Sequence, residues 1–202
     1  MATYYYNGSQ IVTPFSVYSN EPQFDMTTVS LKTQRASQGH QRWELNFGLV
    51  GIADTEVDLL LGAITDMETS STMIMPQLPS VDAANTTTSE SIELTTSVAA
   101  GDTSALCDVT FTDGFLPKGT FFKFSTHDKI YITTSDLNLS LGTDQTLNFY
   151  PAARIAVNST EQIRTGSQAI LTYYRSIDNQ QGITFTDGVL TSIGTVTLVE
   201  AI

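Results

Sequence analysis

Hydrophobic positions along this chain recur mostly at every second residue, the period that puts alternate side chains on opposite faces of a pleated strand. The clearest case is 42–49, where Trp43, Leu45, Phe47 and Leu49 point one way and Arg42, Glu44, Asn46 and Gly48 the other. The densest run of such segments is 121–154. There Phe122 and Phe124 flank Lys123, Lys129 precedes Ile130-Tyr131-Ile132, Leu137, Leu139 and Leu141 alternate, and Leu147 alternates with Phe149. Turn residues separate them: Ser125–Asp128, Thr134–Asp136 and Leu141–Gln145. Pro151 ends the run because it has no N–H to donate to a ladder. The pattern predicts three or four short half-buried strands forming a small antiparallel module.

The same period, with turn punctuation, covers most of the remainder. Tyr4-Tyr5-Tyr6 leads into a tight-turn signal at Asn7-Gly8, and an extended piece from Ile11 to Val17 is interrupted by Pro14. Met26–Leu31 reads as extended, and 34–41 as a polar loop. A helix is expected at Asp54–Asp66, where Val57, Leu60, Leu61 and Ile64 form one apolar stripe, Asp54 can cap, and Glu56 and Asp58 suit the first turn. Thr72–Met75 reads as a strand ending at Pro76. From Ser80 to Gly101 the chain turns rich in Thr, Ser and Ala, with a short strand at Ile92–Leu94, which marks a boundary into a second unit. Cys107, Val109 and Phe111 alternate before a turn at Asp113-Gly114. After Pro151 a polar connection is expected, then strands at Ala169–Arg175, Ile183–Phe185 and Thr195–Val199. TFTDGFL at 110–116 returns as TFTDGVL at 184–190. Shared hairpin chemistry around Asp-Gly explains this better than a duplicated unit, because little around the copies matches.

Composition narrows the function. Charged residues make up 15% of the 202, against an ordinary ~25%, so Thr and Ser fill the surface instead. With 21 acids against 9 bases the net charge is −12, which disfavours gripping phosphates and docking on an anionic membrane. No apolar run approaches the ~20 residues of a membrane helix, and MATYYYNGSQIV lacks the pattern of a secretory leader. A reducing cytosol is therefore the expected place of synthesis, and Cys107, the single cysteine, reads as a small buried hydrophobe.

Candidate chemistry is sparse. Two histidines, His40 and His127, and one cysteine cannot assemble a zinc set of Cys/His type. His127-Asp128 could be half of an acid–base pair, but its place in a turn between strands favours a solvated turn. No phosphate-binding glycine loop and no G-x-S-x-G elbow is present, and the acids are scattered. No catalytic, cofactor-binding or metal-binding residue is assigned, and no enzyme is expected.

The order of parts resembles a family of tailed-bacteriophage proteins that sit at the distal end of the tail tube, in the tail tip or baseplate. The family pattern opens with an R-W-x-L-x-F strand, matched by Arg42, Trp43, Leu45 and Phe47. A module of the form G-x-x-F/I…H-K-x-Y-x-V-T…L-x-F/I-x-P-x-x-R follows, matched by Gly119, Phe122, Phe124, His127, Lys129, Tyr131, Ile132, Thr133, Leu147, Phe149, Pro151 and Arg154. Leu198, Val199, Glu200, Ala201 and Ile202 match the closing V-E-A/V-L strand. Asp128 between His127 and Lys129, and the Tyr4–Tyr6 run, depart from the pattern.

The resemblance implies a mainly β protein: a tube-type β-sandwich or barrel domain with one short helix, from 1–79 and 160–202, and an inserted small antiparallel β-barrel module at 80–159. It implies a non-enzymatic virion structural protein, made in the host cytoplasm, that forms a ring between tail tube and tail tip or baseplate. Its partners would be other copies of itself, as a hexamer, with tube and hub proteins either side and DNA passing through unbound. The alternative is a receptor- or carbohydrate-binding β domain at a tail fibre or tip. A small hydrolase ranks third, since no nucleophile and base can be paired.

Overall fold

The computed structural model describes residues 5–6, 9–27, 29, 33–37, 40–49, 71–76, 92–109, 115–138, 144–176, 184–186, 189–192 and 195–202. The chain is mainly β and contains a closed barrel of six antiparallel strands. Two compact units divide it: a barrel unit of Thr72–Thr172 with Met1–Ala2 and Ile202, and a sheet unit of Thr3–Ser71 with Tyr173–Ala201. The helix expected at Asp54–Asp66 lies outside the described residues, among which the one helical element is a 3-10 turn at Gly166–Gln168.

The sheet unit begins with β1 (Tyr5–Tyr6) and β2 (Ser9–Asn20). Tyr6 pairs with Ser9, so only Asn7 and Gly8 connect the two strands. β2 runs past Pro14 with a register shift between Val12 and Phe15, as a strand must where a residue cannot donate to the ladder. β3 (Gln23–Thr27) and β4 (Thr33–Ser37) then pair with each other and, among the described residues, with no other strand. The polar loop expected over 34–41 is thus a strand for half its length. Its polarity reflects exposure of the β3–β4 ribbon, not loss of extended structure. β5 (Arg42–Leu49) returns along β2, with Asn20 opposite Arg42 and Val17 opposite Leu45.

β6 (Ser71–Ile74) straddles the division, and Met75 just beyond it donates its N–H to the Ala169 carbonyl at 2.9 Å. Within the barrel unit come β7 (Ile92–Leu94), β8 (Ser104–Val109), β9 (Phe115–Leu116), β10 (Phe121–Phe124), β11 (Tyr131–Thr133), β12 (Leu137–Asn138), β13 (Gln145–Tyr150) and β14 (Gln162–Thr165). The barrel closes in the order β10-β11-β13-β8-β7-β14, and β9 pairs with β12 beside it. Alternation does the folding here: Phe122 and Phe124 of β10, Tyr131 of β11 and Leu147 and Phe149 of β13 are buried, with half-buried Lys123, Ile132 and Asn148 between them. The Phe122, Phe124, Tyr131 and Phe149 rings pack mostly edge to face at centroid separations of 5.1 to 5.9 Å. Each such pair adds roughly 0.5–1.5 kcal/mol beyond the area it buries.

Strand β14 falls in the stretch read above as a polar connection. It carries one aliphatic residue, Ile163, yet it closes the barrel between β10 and β7, placing Ile163 opposite both Phe124 and Ile92. The compact unit consequently ends at 172 and starts at 72, where the sequence reading puts 159 and 80.

β15 (Ile170–Arg175) crosses the division, and its second half pairs with β18 (Thr195–Glu200) of the sheet unit. Between them β16 (Thr184–Thr186) and β17 (Val189–Ser192) form a separate hairpin. β18 pairs with β5, Leu198 opposite Leu45 and Val196 opposite Phe47, and the sheet order runs β1-β2-β5-β18-β15-β6. Trp43, Leu45, Phe47, Val196 and Leu198 are buried, and the Phe15 and Phe47 rings stack at 5.6 Å.

Candidate functional site

The residues that a catalytic reading would use do not converge. His127 lies in the turn after β10, buried to 4% exposure against the Phe124 ring, with Nδ1 3.4 Å from the Tyr131 hydroxyl. Asp128, its neighbour in sequence, is on the surface, 3.7 Å from the Lys123 ammonium. The solvated turn expected for the pair therefore applies to Asp128 only. Burial pushes the His127 imidazole below its ordinary value, and Lys123 pushes the same way. Glu161, a hydrogen bond to the Ala156 carbonyl and Asp128 oppose that shift. His40, the other histidine, is exposed in the sheet unit.

Cys107 is buried in β8, its thiol donating to the Gln145 carbonyl at 3.3 Å. Burial, followed by the charge of Asp108, raises its pKa to about 12, so it stays a thiol at neutral pH. Among the described residues no three His, Cys, Asp or Glu side chains gather as metal ligands would, and no helix is long and apolar enough to cross a membrane. Asp113-Gly114 and Asp187-Gly188 lie outside the described residues. The segments around them differ in setting. Phe115-Leu116 pairs with Leu137-Asn138, whereas Thr184–Thr186 pairs with the strand that follows it. Over their described parts the two copies pair differently, since Val189-Leu190, the equivalent of Phe115-Leu116, pairs back on Phe185 and Thr186.

Most of the motif residues that carry the family resemblance are packing residues, although Arg42 and Arg154 are exposed. Phe122, Phe124, Tyr131, Leu147 and Phe149 fill the barrel. Thr133, also buried, accepts the Thr120 N–H at 3.0 Å and donates to the Pro117 carbonyl at 2.8 Å. Gly119 stands at φ 89°, a conformation that favours glycine, in the turn that this hydroxyl holds. The Arg154 N–H donates to the Tyr131 hydroxyl at 3.3 Å. In the sheet unit Glu200, fully buried at the end of β18, accepts the Trp43 N–H at 3.1 Å. A buried carboxylate needs such donors to offset its lost hydration.

What the structure offers instead is surface. On the sheet unit, the face opposite Trp43 carries the cross-strand row Tyr18, Glu44, Val199 and Tyr174. Tyr174 is tied down by the Arg42 guanidinium, which donates to its hydroxyl at 2.9 Å. Beyond the end of the β2–β5 ladder stands the β3–β4 ribbon. Phe24 and Met26 lie opposite Ala36 and Gln34, on one face. They are 66% and 67% exposed, and Val29 at the tip is fully so. The sequence reading missed this feature. Its signal was there, Phe24 and Met26 alternating with Gln23, Asp25 and Thr27, but the sequence reading places only an extended piece, at Met26–Leu31.

No protein-family model matches the chain, and no curated protein matches it in sequence.

Proposed function

We propose that this chain is a non-enzymatic structural subunit of a tailed-bacteriophage virion: a ring-forming adaptor that joins the tail tube to the tail tip or baseplate and continues its channel. One observation carries the reading. β5, with the R-W-E-L-N-F segment, pairs along its length with β18, the closing T-V-T-L-V-E strand. The two ends of the family resemblance thus meet in one sheet, and the chain between them carries a separate barrel built on the remaining motif. Most of the motif residues pack and bond the fold, which is what a scaffold requires of them.

The mechanism is geometric. Six copies close a ring about the tail axis, each seating its neighbours through exposed surface of the sheet unit. Tube and hub proteins take the ring's two ends. A channel that passes DNA must not hold it, and subunits of charge −12 repel phosphate. Electron microscopy of purified tails tests the proposal: density for this chain is expected as a ring on the axis between tube and tip. Finding it on peripheral fibres, as a receptor- or carbohydrate-binding domain would be, overturns the reading. So does a lumen lined by lysine and arginine.

A further inference from the structure

The loop between β13 and β14 is anchored unevenly. Ala153 and Val157 are buried and held by backbone bonds. Ala153 donates to the Asp102 carbonyl and accepts from the Gly101 N–H, both at 2.7 Å, and Val157 exchanges two 2.9 Å bonds with Val98. The three residues between these anchors, Arg154, Ile155 and Ala156, are exposed and belong to no strand. Among the described residues, one side-chain couple ties both ends of that tripeptide. The Arg154 N–H donates to the Tyr131 hydroxyl at 3.3 Å, and the Ala156 carbonyl accepts from the His127 ring. Tyr131 and His127 are both buried, with the tyrosine oxygen 3.4 Å from His127 Nδ1. An exposed strap is therefore tied at each end to a single hydrogen-bonded pair.

The pair is complete in one protonation state only. A neutral imidazole has one donor and one acceptor nitrogen. Giving its N–H to the Ala156 carbonyl leaves Nδ1 to accept the Tyr131 O–H, while the tyrosine oxygen accepts from Arg154. A second proton leaves the bond to Ala156 intact but turns Nδ1 into a donor aimed at the same hydroxyl. Tyr131 must then turn its own proton elsewhere and accept from two N–H groups at once, in a buried site where a poorly made bond is costly. Burial also denies the new charge its hydration, and Lys123 of β10 repels it. Glu161, ahead of β14, and Asp128, beside the histidine in its turn, attract it, yet burial outweighs both. Glu161 is already engaged, accepting the Thr126 O–H at 2.6 Å. Arg154 on the strap and Lys129 in the turn are further cations, not anions.

We infer that Arg154–Ala156 is a pH-released strap, closed over His127 while the imidazole is neutral and opened when a second proton breaks the Tyr131–Arg154 tie and water reaches the ring. Release is local, because Ala153 and Val157 keep backbone bonds that no titrating group enters. The closed strap disfavours the proton, so closure is complete above the open-state value of about 6.5 and weakens as pH falls through it, by at most about tenfold per pH unit for one proton. Mild acid thus changes one loop of the barrel unit before the unit unfolds. The strap works in a lone subunit and needs no ring.

The test is NMR on the full-length chain from about pH 7.5 down to about pH 5, either side of the histidine range, with His127→Gln and Tyr131→Phe beside the wild type. Nitrogen shifts of the His127 ring are expected to show the Nε2–H tautomer at the upper end. Exchange protection of the Arg154 amide, corrected for its intrinsic rate, should fall about tenfold across the range, while the Ala153 and Val157 amides keep theirs. His127→Gln, whose amide has donors and an acceptor but does not titrate, should hold the strap closed throughout. Tyr131→Phe should leave the Arg154 amide unprotected at every pH. An Nδ1–H tautomer overturns the strap, as does Arg154 protection that is constant with pH. Protection that falls in step at Ala153 and Val157 overturns it too, because the barrel is then unfolding as a whole. A pH response that survives in His127→Gln belongs to another group and has the same consequence. If either variant loses its far-UV spectrum, the wild-type tautomer and protection decide alone, and no outcome bears on the ring reading.

Discussion

The barrel and the β3–β4 ribbon use the same alternation to opposite ends. In β10, Phe122 and Phe124 alternate with Lys123 and are wholly buried; in β3, Phe24 and Met26 alternate with Asp25 and are about two-thirds exposed. The difference lies in closure. Six strands joined in a ring have no free edge, and their inward side chains meet each other across the barrel. Among the described residues the β3–β4 ribbon pairs with no other strand. The same binary pattern therefore specifies core in one place and exposed surface in the other, according to what the topology sets opposite it.

The largest effect that sharpens this contrast should come from truncating a barrel ring. Phe124 touches Phe122, His127, Tyr131 and Phe149. Phe124→Ala should cost about 3–5 kcal/mol in denaturant unfolding. Trp43, the single tryptophan, reports the sheet unit, while far-UV circular dichroism reports both units. If the units unfold separately, the loss appears in the dichroism transition and leaves Trp43 fluorescence in place. Coincident shifts would show instead that they unfold as one.

A smaller loss is expected in the sheet unit. Glu200→Ala removes the acceptor of the buried Trp43 N–H and should cost roughly 1–3 kcal/mol, whereas Glu200→Gln keeps an acceptor and should cost less. Equal losses from both would mean that the charge of Glu200 matters more than this bond.

Next in size is a pH dependence confined to the barrel. Burial holds the His127 imidazole below its ordinary value, so the unfolded chain binds the proton more readily than the folded one. Stability is then full above the unfolded value of about 6.5 and falls as pH drops through it toward the lower folded value. Unfolding midpoints on either side of that window check the sign, and His127→Gln should flatten the slope. A slope that survives the substitution assigns the effect to other groups.

How much of this was legible in the sequence follows from the same contrast. β5 and β10 were readable because large apolar residues alternate with polar ones and each row meets a filled interior. β14 was not: Gln162-Ile163-Arg164-Thr165 offers one aliphatic side chain, and its buried Thr165 is a residue that pattern reading assigns to the surface. β4 was not, because Thr33-Gln34-Arg35-Ala36-Ser37 is held by pairing with β3, and its Thr33, Gln34 and Ala36 are exposed. Burial of Lys129, Arg175 and Glu200 was equally hidden, since only tertiary partners make a buried charge tolerable. The exposed row of Phe24 and Met26 was legible as a pattern and not as a place. Its exposure depends on which strands the fold sets beside it, which no local window records.

The smallest expected effect is the most discriminating. If Phe24 touches nothing of its own chain that matters, Phe24→Thr exchanges an exposed ring for a residue equally suited to a strand. The stability of the monomer should then change by no more than about 0.5 kcal/mol, the usual bound for surface substitutions. Measured at dilution, where copies are apart, denaturant unfolding isolates that number from any effect on association. A loss of several kcal/mol would place Phe24 inside the fold, and the ribbon would then resemble the barrel, a closed element whose apolar row is core. A near-zero change would leave the ribbon's apolar row as surface, the opposite use of the pattern that fills the barrel.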